Sequence, residues 1–116
     1  MNNIIKAIFN NFTVDGVLIP VKFLRYEGHG QPYVIYSLES NGEPLNAEDN
    51  IANYVEYYDF TIYSKGNYLK IEERLKDLLT ENGFRWEVDR SSGDLYEPVT
   101  GYYFKTLNFS YLRGGY

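Results

Sequence analysis

The sequence contains no cysteine, one histidine, one tryptophan and one methionine. Without cysteine it forms no disulfide, no thiolate zinc site and no cysteine nucleophile. The single imidazole, His29 between Gly28 and Gly30, supplies neither a two-histidine metal site nor, by itself, a triad, and reads as a solvated turn residue. Glu27 is near enough in sequence to accept from it, but no nucleophile accompanies the pair at a recognisable spacing. Long hydrophobic runs are also missing. Ile4, Ile5, Ala7, Ile8 and Phe9 are broken by Lys6 and precede no small-residue cleavage site, so neither a signal peptide nor a membrane span is expected, and the default compartment is the cytoplasm. Positive charge is short: 11 Lys and Arg against 16 Asp and Glu give a net charge of −5, whose field repels phosphate backbones and argues against specific nucleic-acid binding. Glycines fall into none of the phosphate-cradling patterns and no nucleophile elbow is present, so no nucleotide or other cofactor is expected.

What is present fits one domain over residues 1–116: the chain is 44% hydrophobic and 18% aromatic, enough to fill one compact core. Ile4, Ile5, Ile8, Phe9 and Phe12 line one stripe of a helix over Asn2–Phe12. Asp15-Gly16 marks a turn. The runs Ile19–Tyr26 and Tyr33–Glu39, joined through Gly28, Gly30 and Pro32, predict a hairpin. Asn53–Ser64 is the densest strand signal. Asn67 caps, and Gly83 terminates, a helix with Tyr68, Ile71, Leu75, Leu78 and Leu79 on one side. On the other, Lys65, Lys70, Arg74 and Lys76 interleave with Glu72, Glu73 and Asp77 as a mixed solvated face. Phe84–Asp89 alternates as a half-buried strand, residues 91–94 read as a turn, Pro98 and Gly101 bracket an irregular stretch, and Tyr102–Leu112 forms a last long strand. The expected fold is α+β: a mostly antiparallel sheet of four to five strands with two helices packed on one face.

Carboxylates alone could support glycoside or metal-assisted hydrolysis, and Glu48-Asp49 with Asp94 and Glu97 lie in predicted loops. A metal-dependent hydrolase is therefore one alternative, and a generic ligand- or peptide-binding module another. The more unusual feature is tyrosine, thirteen copies set mostly in strands. On Asn53–Ser64, Tyr54, Tyr58, Phe60 and Ile62 point one way and Val55, Tyr57, Thr61 and Tyr63 the other; Tyr102 and Phe104 likewise oppose Tyr103, Leu107, Phe109 and Tyr111. A sheet wetted on one side shows cleaner alternation, so both sides are expected to meet protein. Tyrosine suits that use, being a large ring with a polar tip that loses little entropy when fixed.

Four segments carry a family resemblance: the N-terminal helix, IPVKFLRYEG, the run FTIYSKGNYLKIEERLKDLLTENGF, and YEPVTGYYFKTLNFSY near the end. Together, over almost the whole chain, they resemble the small tail-terminator or tail-completion proteins of long-tailed bacteriophages and prophages. The shared signal is the IYSK–helix–NGF junction and the YE…TGYY.K return strand. The resemblance implies a structural virion-assembly protein with no catalytic residues. Such a subunit forms a ring, typically a hexamer, on the end of the tail tube, stops its polymerisation and joins the tail to the head. The implied partners are further copies of the chain, the tail-tube protein and the head-tail connector; the implied location is the host cytoplasm during assembly and then the virion tail. By position, Tyr54, Tyr57, Tyr58, Tyr63, Tyr102, Tyr103 and Phe104 are the expected subunit-interface residues, and Asn46, Glu48, Asp49 and Asn50 the expected tail-tube or lumen loop. Another connector or neck component is the nearest alternative role.

Overall fold

The N-terminal stripe forms helix α1, Asn2–Ile8, in a computed structural model that describes residues 2–26, 32–44 and 53–114, with side chains for 3–26, 32–39 and 55–112. The helix is shorter than the expected Asn2–Phe12 because Asn11 takes a left-handed φ of 57°, which closes the turn that follows Ile8. Phe9 and Phe12 nevertheless stay in the core beside Ile5. Strands β1, Thr13–Val14, and β2, Val17–Leu18, follow as a small hairpin. Its loop is Asp15-Gly16, with φ of 52° and 80°, the two positive angles a tight hairpin turn of this hand demands. The turn was legible in the sequence; the two short strands were not.

Strand β3, Val21–Phe23, corrects the expected hairpin: it pairs with β4, Tyr33–Pro44, in parallel, Val21 opposite Val34 and Phe23 opposite Tyr36. Leu24 leaves the strand in a left-handed conformation, φ 69°, with Arg25 N–H closing back onto the Phe23 carbonyl at 2.8 Å. The chain turns off at once, and β4 begins beside the start of β3, where Val34 N–H meets the Pro20 carbonyl at 2.8 Å. His29 and Glu27 lie outside the described residues.

The remaining elements are β5, Asn53–Ser64; α2, Leu69–Glu81; β6, Phe84–Trp86; β7, Leu95–Glu97; and β8, Tyr102–Gly114. The main sheet has six strands in the order β3-β4-β5-β8-β6, with β7 also on β8, and every pairing except β3–β4 is antiparallel. The fold is thus α+β with two helices and a mostly antiparallel sheet, six strands and a separate hairpin in place of four to five strands. The expected strand Phe84–Asp89 stops at Trp86, and a single 3-10 turn, Val88–Arg90, follows. Serines then replace ladder partners. The Ser91 hydroxyl accepts from the Asn108 N–H at 3.0 Å and the Trp86 indole N–H at 3.1 Å, and Ser92 exchanges bonds of 2.8 and 2.9 Å with the Thr106 backbone. β7 occupies part of what was expected to be irregular chain.

One face of the sheet carries Val34 and Tyr36 from β4, Tyr58, Phe60 and Ile62 from β5, and Leu107 and Phe109 from β8. Both helices pack on this face, α1 through Ile5 and α2 through Ile71, Leu75 and Leu79. Phe60 is its centre: its ring lies 5.6 Å from Tyr36, 5.7 Å from Phe109 and 6.0 Å from Phe9. The Asn67 side-chain oxygen takes the Leu69 N–H at 2.9 Å at the start of α2, and Gly83, φ 92°, ends it.

Glu72 departs from its expected place on a solvated helix face, being only 6% exposed. The cause is Lys105, which shares strand parity with Leu107 and Phe109 and brings a charge to the helix side. Its ammonium lies 3.2 Å from the Glu72 carboxylate, Lys76 adds a second contact at 2.9 Å, and the Lys76 ammonium sits 3.6 Å from the centre of the Trp86 ring. Glu72→Ala strands Lys105 beside the core, and because both lysines keep some solvent contact the expected cost is about 2 kcal/mol, below that of a fully buried pair. Urea titration checks this, with Glu72→Ala/Lys105→Met expected to regain most of the loss.

Candidate protein-docking face

The other face of the sheet has no α-helix over it among the described residues. Strand parity places Tyr33 and Ile35 of β4, Tyr57, Thr61 and Tyr63 of β5, and Phe104 and Thr106 of β8 on that side. Rows of side chains directly opposite one another are the unit of sheet stabilisation, and here three of them are rings. Tyr33 stacks on Tyr63 at 4.8 Å and Tyr63 on Phe104 at 5.7 Å, with Tyr26 beside Tyr33 at 5.0 Å. The ladder rings are half-buried, stacked face to face. The Thr61 and Thr106 hydroxyls, 2.9 Å apart, separate the aromatic half from a polar half.

In the polar half Asn108 is fully buried, and its amide donates to Asp59 at 2.8 Å and to Glu39 at 3.4 Å. Arg90, carried across by the 3-10 turn, pairs with Glu39 at 2.5 Å and lays its guanidinium 3.9 Å from the centre of the Tyr57 ring. That bond to Glu39 raises the Arg90 pKa above its ordinary value. Ser110 donates to Glu87 at 2.6 Å, so the same segment is tied down at a second point. This half is a hydrogen-bonded network that holds the 84–92 segment on the sheet, with the buried Asn108 side-chain oxygen left without a partner.

The residues expected at an interface divide accordingly. Tyr63 and Phe104 lie in the ladder, and Tyr57 lies on the same face beneath Arg90. Tyr102 shares their parity but is 8% exposed, wedged edge-on against Tyr33 and Tyr63 with the Lys65 ammonium 5.1 Å above its ring. Tyr58 belongs to the core, 5% exposed, with its hydroxyl on the Glu56 carboxylate at 3.1 Å. These two rings are used in the chain's own packing and are removed from the set of contact residues. Tyr103 points to the helix side at the sheet's margin, exposed, with Tyr96 4.7 Å away. Tyr54 sits on β5, with its side chain outside the described residues, as is the whole of the loop containing Asn46, Glu48, Asp49 and Asn50. Tyr33 and Ile35 were missed; once β4 is set beside β5, the aromatic run Tyr33–Tyr36 gives the signal.

Burial lifts the Tyr63 and Tyr36 phenols above their ordinary 10.0, and Tyr33 is lifted by burial and then by Tyr102, Tyr63 and Tyr26 around it. Tyr68 rises furthest, first from burial and then from its hydrogen bond to Asp94. A phenol raised in the folded state contributes stability that is complete below 10, the unfolded value, and is lost as pH rises through the folded values above it. Denaturant midpoints should therefore hold up to about pH 10 and fall beyond it, more shallowly in Tyr68→Phe.

No protein-family model matches the chain, and no curated protein matches it. Among the described residues no three His, Asp or Glu side chains converge as a metal site, and no helix is long and apolar enough to cross a membrane. Asp94 is bonded to Tyr68, and the Glu97 carboxylate takes the Val99 N–H at 2.7 Å.

Proposed function

We propose that this chain is a structural subunit of a long-tailed phage, forming a ring at the end of the tail tube that terminates its polymerisation and joins the tail to the head. The observation that carries the reading is the aromatic ladder Tyr33–Tyr63–Phe104 on the helix-free sheet face. An antiparallel sheet that faces water on one side carries polar side chains there. Stacked rings on that side, at the ends of the long strands, lower their free energy by meeting another protein surface. The four-segment sequence resemblance supplies the kind of surface: subunits of a tail assembly, with six copies the implied ring. Tyr63, Phe104 and Tyr33 are then contact residues, and Tyr57, already covered by Arg90, is a support. A different neck or connector role would use the same face on a different partner.

The test is to polymerise tail-tube protein with and without the chain and to measure tube lengths in electron micrographs. The reading expects tubes that stop growing and carry density at one end. Tubes whose lengths are unchanged and whose ends stay bare contradict termination, while binding to isolated connector rings alone would move the chain to the neck.

A further inference from the structure

The two margins of the sheet differ in shape and charge. At the β3 margin, α1, β2 and β3 enclose a groove of ≈ 690 Å³ lined by Phe9, Phe12, Leu18, Phe23 and Tyr36, with Lys6 and Lys22 also on its wall. Leu24 and Leu38 extend the exposed apolar surface next to it. Residues 17–25 contain Lys22 and Arg25 and no acid, and neither Lys6 nor Lys22 has an ion-pair partner among the described residues. At the opposite margin the β7–β8 hairpin projects an apolar knob: Leu95, Tyr96 and Tyr103 are exposed, and Val99 at its tip is 91% exposed. Acids flank this knob. Residues 87–97 hold Glu87, Asp89, Asp94 and Glu97 against one base, Arg90, which is itself committed to Glu39; Lys65 lines the same pocket as Asp94 and Tyr103, and Asp94 and Glu97, which already accept from Tyr68 and the Val99 N–H, keep their negative charge.

We propose that the groove at the β3 margin of one copy receives the β7–β8 hairpin of the next, with Lys6 and Lys22 facing Asp94 and Glu97. The inference rests on the ring reading above and specifies its lateral contact. Charge selects the occupant, because groove on groove would bring lysines together and knob on knob would bring carboxylates together, and both are disfavoured. Groove on knob is apolar at its centre and oppositely charged at its rim, the usual anatomy of a protein interface. Such a contact is head-to-tail: each copy uses one margin to receive and the other to insert, so repetition closes a ring when the rotation per copy divides a full turn. Tyr26, which lines the groove and touches Tyr33, marks where the contact adjoins the helix-free face; the rest of that face stays available for the tube.

Two variants test the contact, Val99→Arg on the knob and Leu18→Arg in the groove, both at exposed positions where the fold should tolerate a charge. Each alone should raise the concentration needed for self-association at least tenfold with unchanged melting temperature. Mixed in equal amounts they should form 1:1 pairs and nothing larger, because Val99→Arg keeps a groove and Leu18→Arg keeps a knob. Self-association that survives both substitutions, a mixture that stays monomeric while the parent associates, or a parent chain monomeric at every concentration both free and with tail tubes overturns the contact. Survival in both variants would leave the ring itself standing, joined elsewhere. Conversely, variants that behave as expected in a protein that never caps a tail tube would keep the contact and remove the terminator reading.

Discussion

Phe60→Ala is expected to lower the unfolding free energy by about 3–5 kcal/mol, a large part of the whole for a domain of this size. Phe60 is fully buried at the meeting point of both helices and the three long strands, and its three aromatic neighbours belong to α1's exit turn, β4 and β8. Those neighbours hang on different elements, so they cannot collapse together into the space left behind. Most of the cost is therefore the cavity as well as the lost burial. In urea the midpoint should fall with the slope unchanged. Phe23→Ala, at the exposed sheet margin, should cost less than about 1 kcal/mol. A small loss at Phe60 together with a large one at Phe23 would mean that the core has been placed on the wrong side of the sheet.

The double substitution Tyr63→Ser/Phe104→Ser separates folding from assembly. The two rings stack on the helix-free face, so their removal costs the monomer cross-strand packing of about 1–2 kcal/mol. If these rings also meet a partner, association should weaken by about 100-fold or more, the effect of an aromatic anchor residue. Melting curves and capping of tail tubes, read on the same preparation, give both quantities. Loss of capping in a chain that still melts close to the parent identifies the ladder as a docking surface. Proportionate loss of both would make it ordinary packing. Tyr57 is a poorer probe because it carries the Arg90 guanidinium, and its loss would release the 84–92 segment as well.

How far the sequence revealed this arrangement depends on which residues had unequal alternatives. Asn53–Ser64 was legible to the residue because β-branched and aromatic side chains make up most of it, and α2 because its apolar stripe runs between Asn67 and Gly83. Which side of β5 faces the helices was not legible. Rings stand on both sides, Tyr58 and Phe60 with Ile62 on one and Tyr57 and Tyr63 with Asp59 and Thr61 on the other, and the presence of tyrosines on both hid that α1 and α2 cover the first. Tyr58 was consequently grouped with Tyr57. The parallel β3–β4 pair escaped because it hinges on one backbone angle at Leu24, a residue with no turn preference. Glu72 read as solvated because helix periodicity sees one element at a time, and its partner Lys105 stands 33 positions away on β8. The polar network of Glu39, Asp59, Asn108 and Arg90 is equally non-local, drawn from four segments that the sheet order brings together.

The most direct test of the central claim is the mass of the purified chain in solution by light scattering over a wide concentration range, with electron micrographs of any large species and the same measurement repeated on tail-tube ends. The account predicts a discrete closed ring of a single subunit count, or a monomer that closes into such a ring on the tube. A chain that remains a monomer free and in the presence of tubes, with the Tyr63→Ser/Phe104→Ser form indistinguishable from the parent in every association assay, would contradict it.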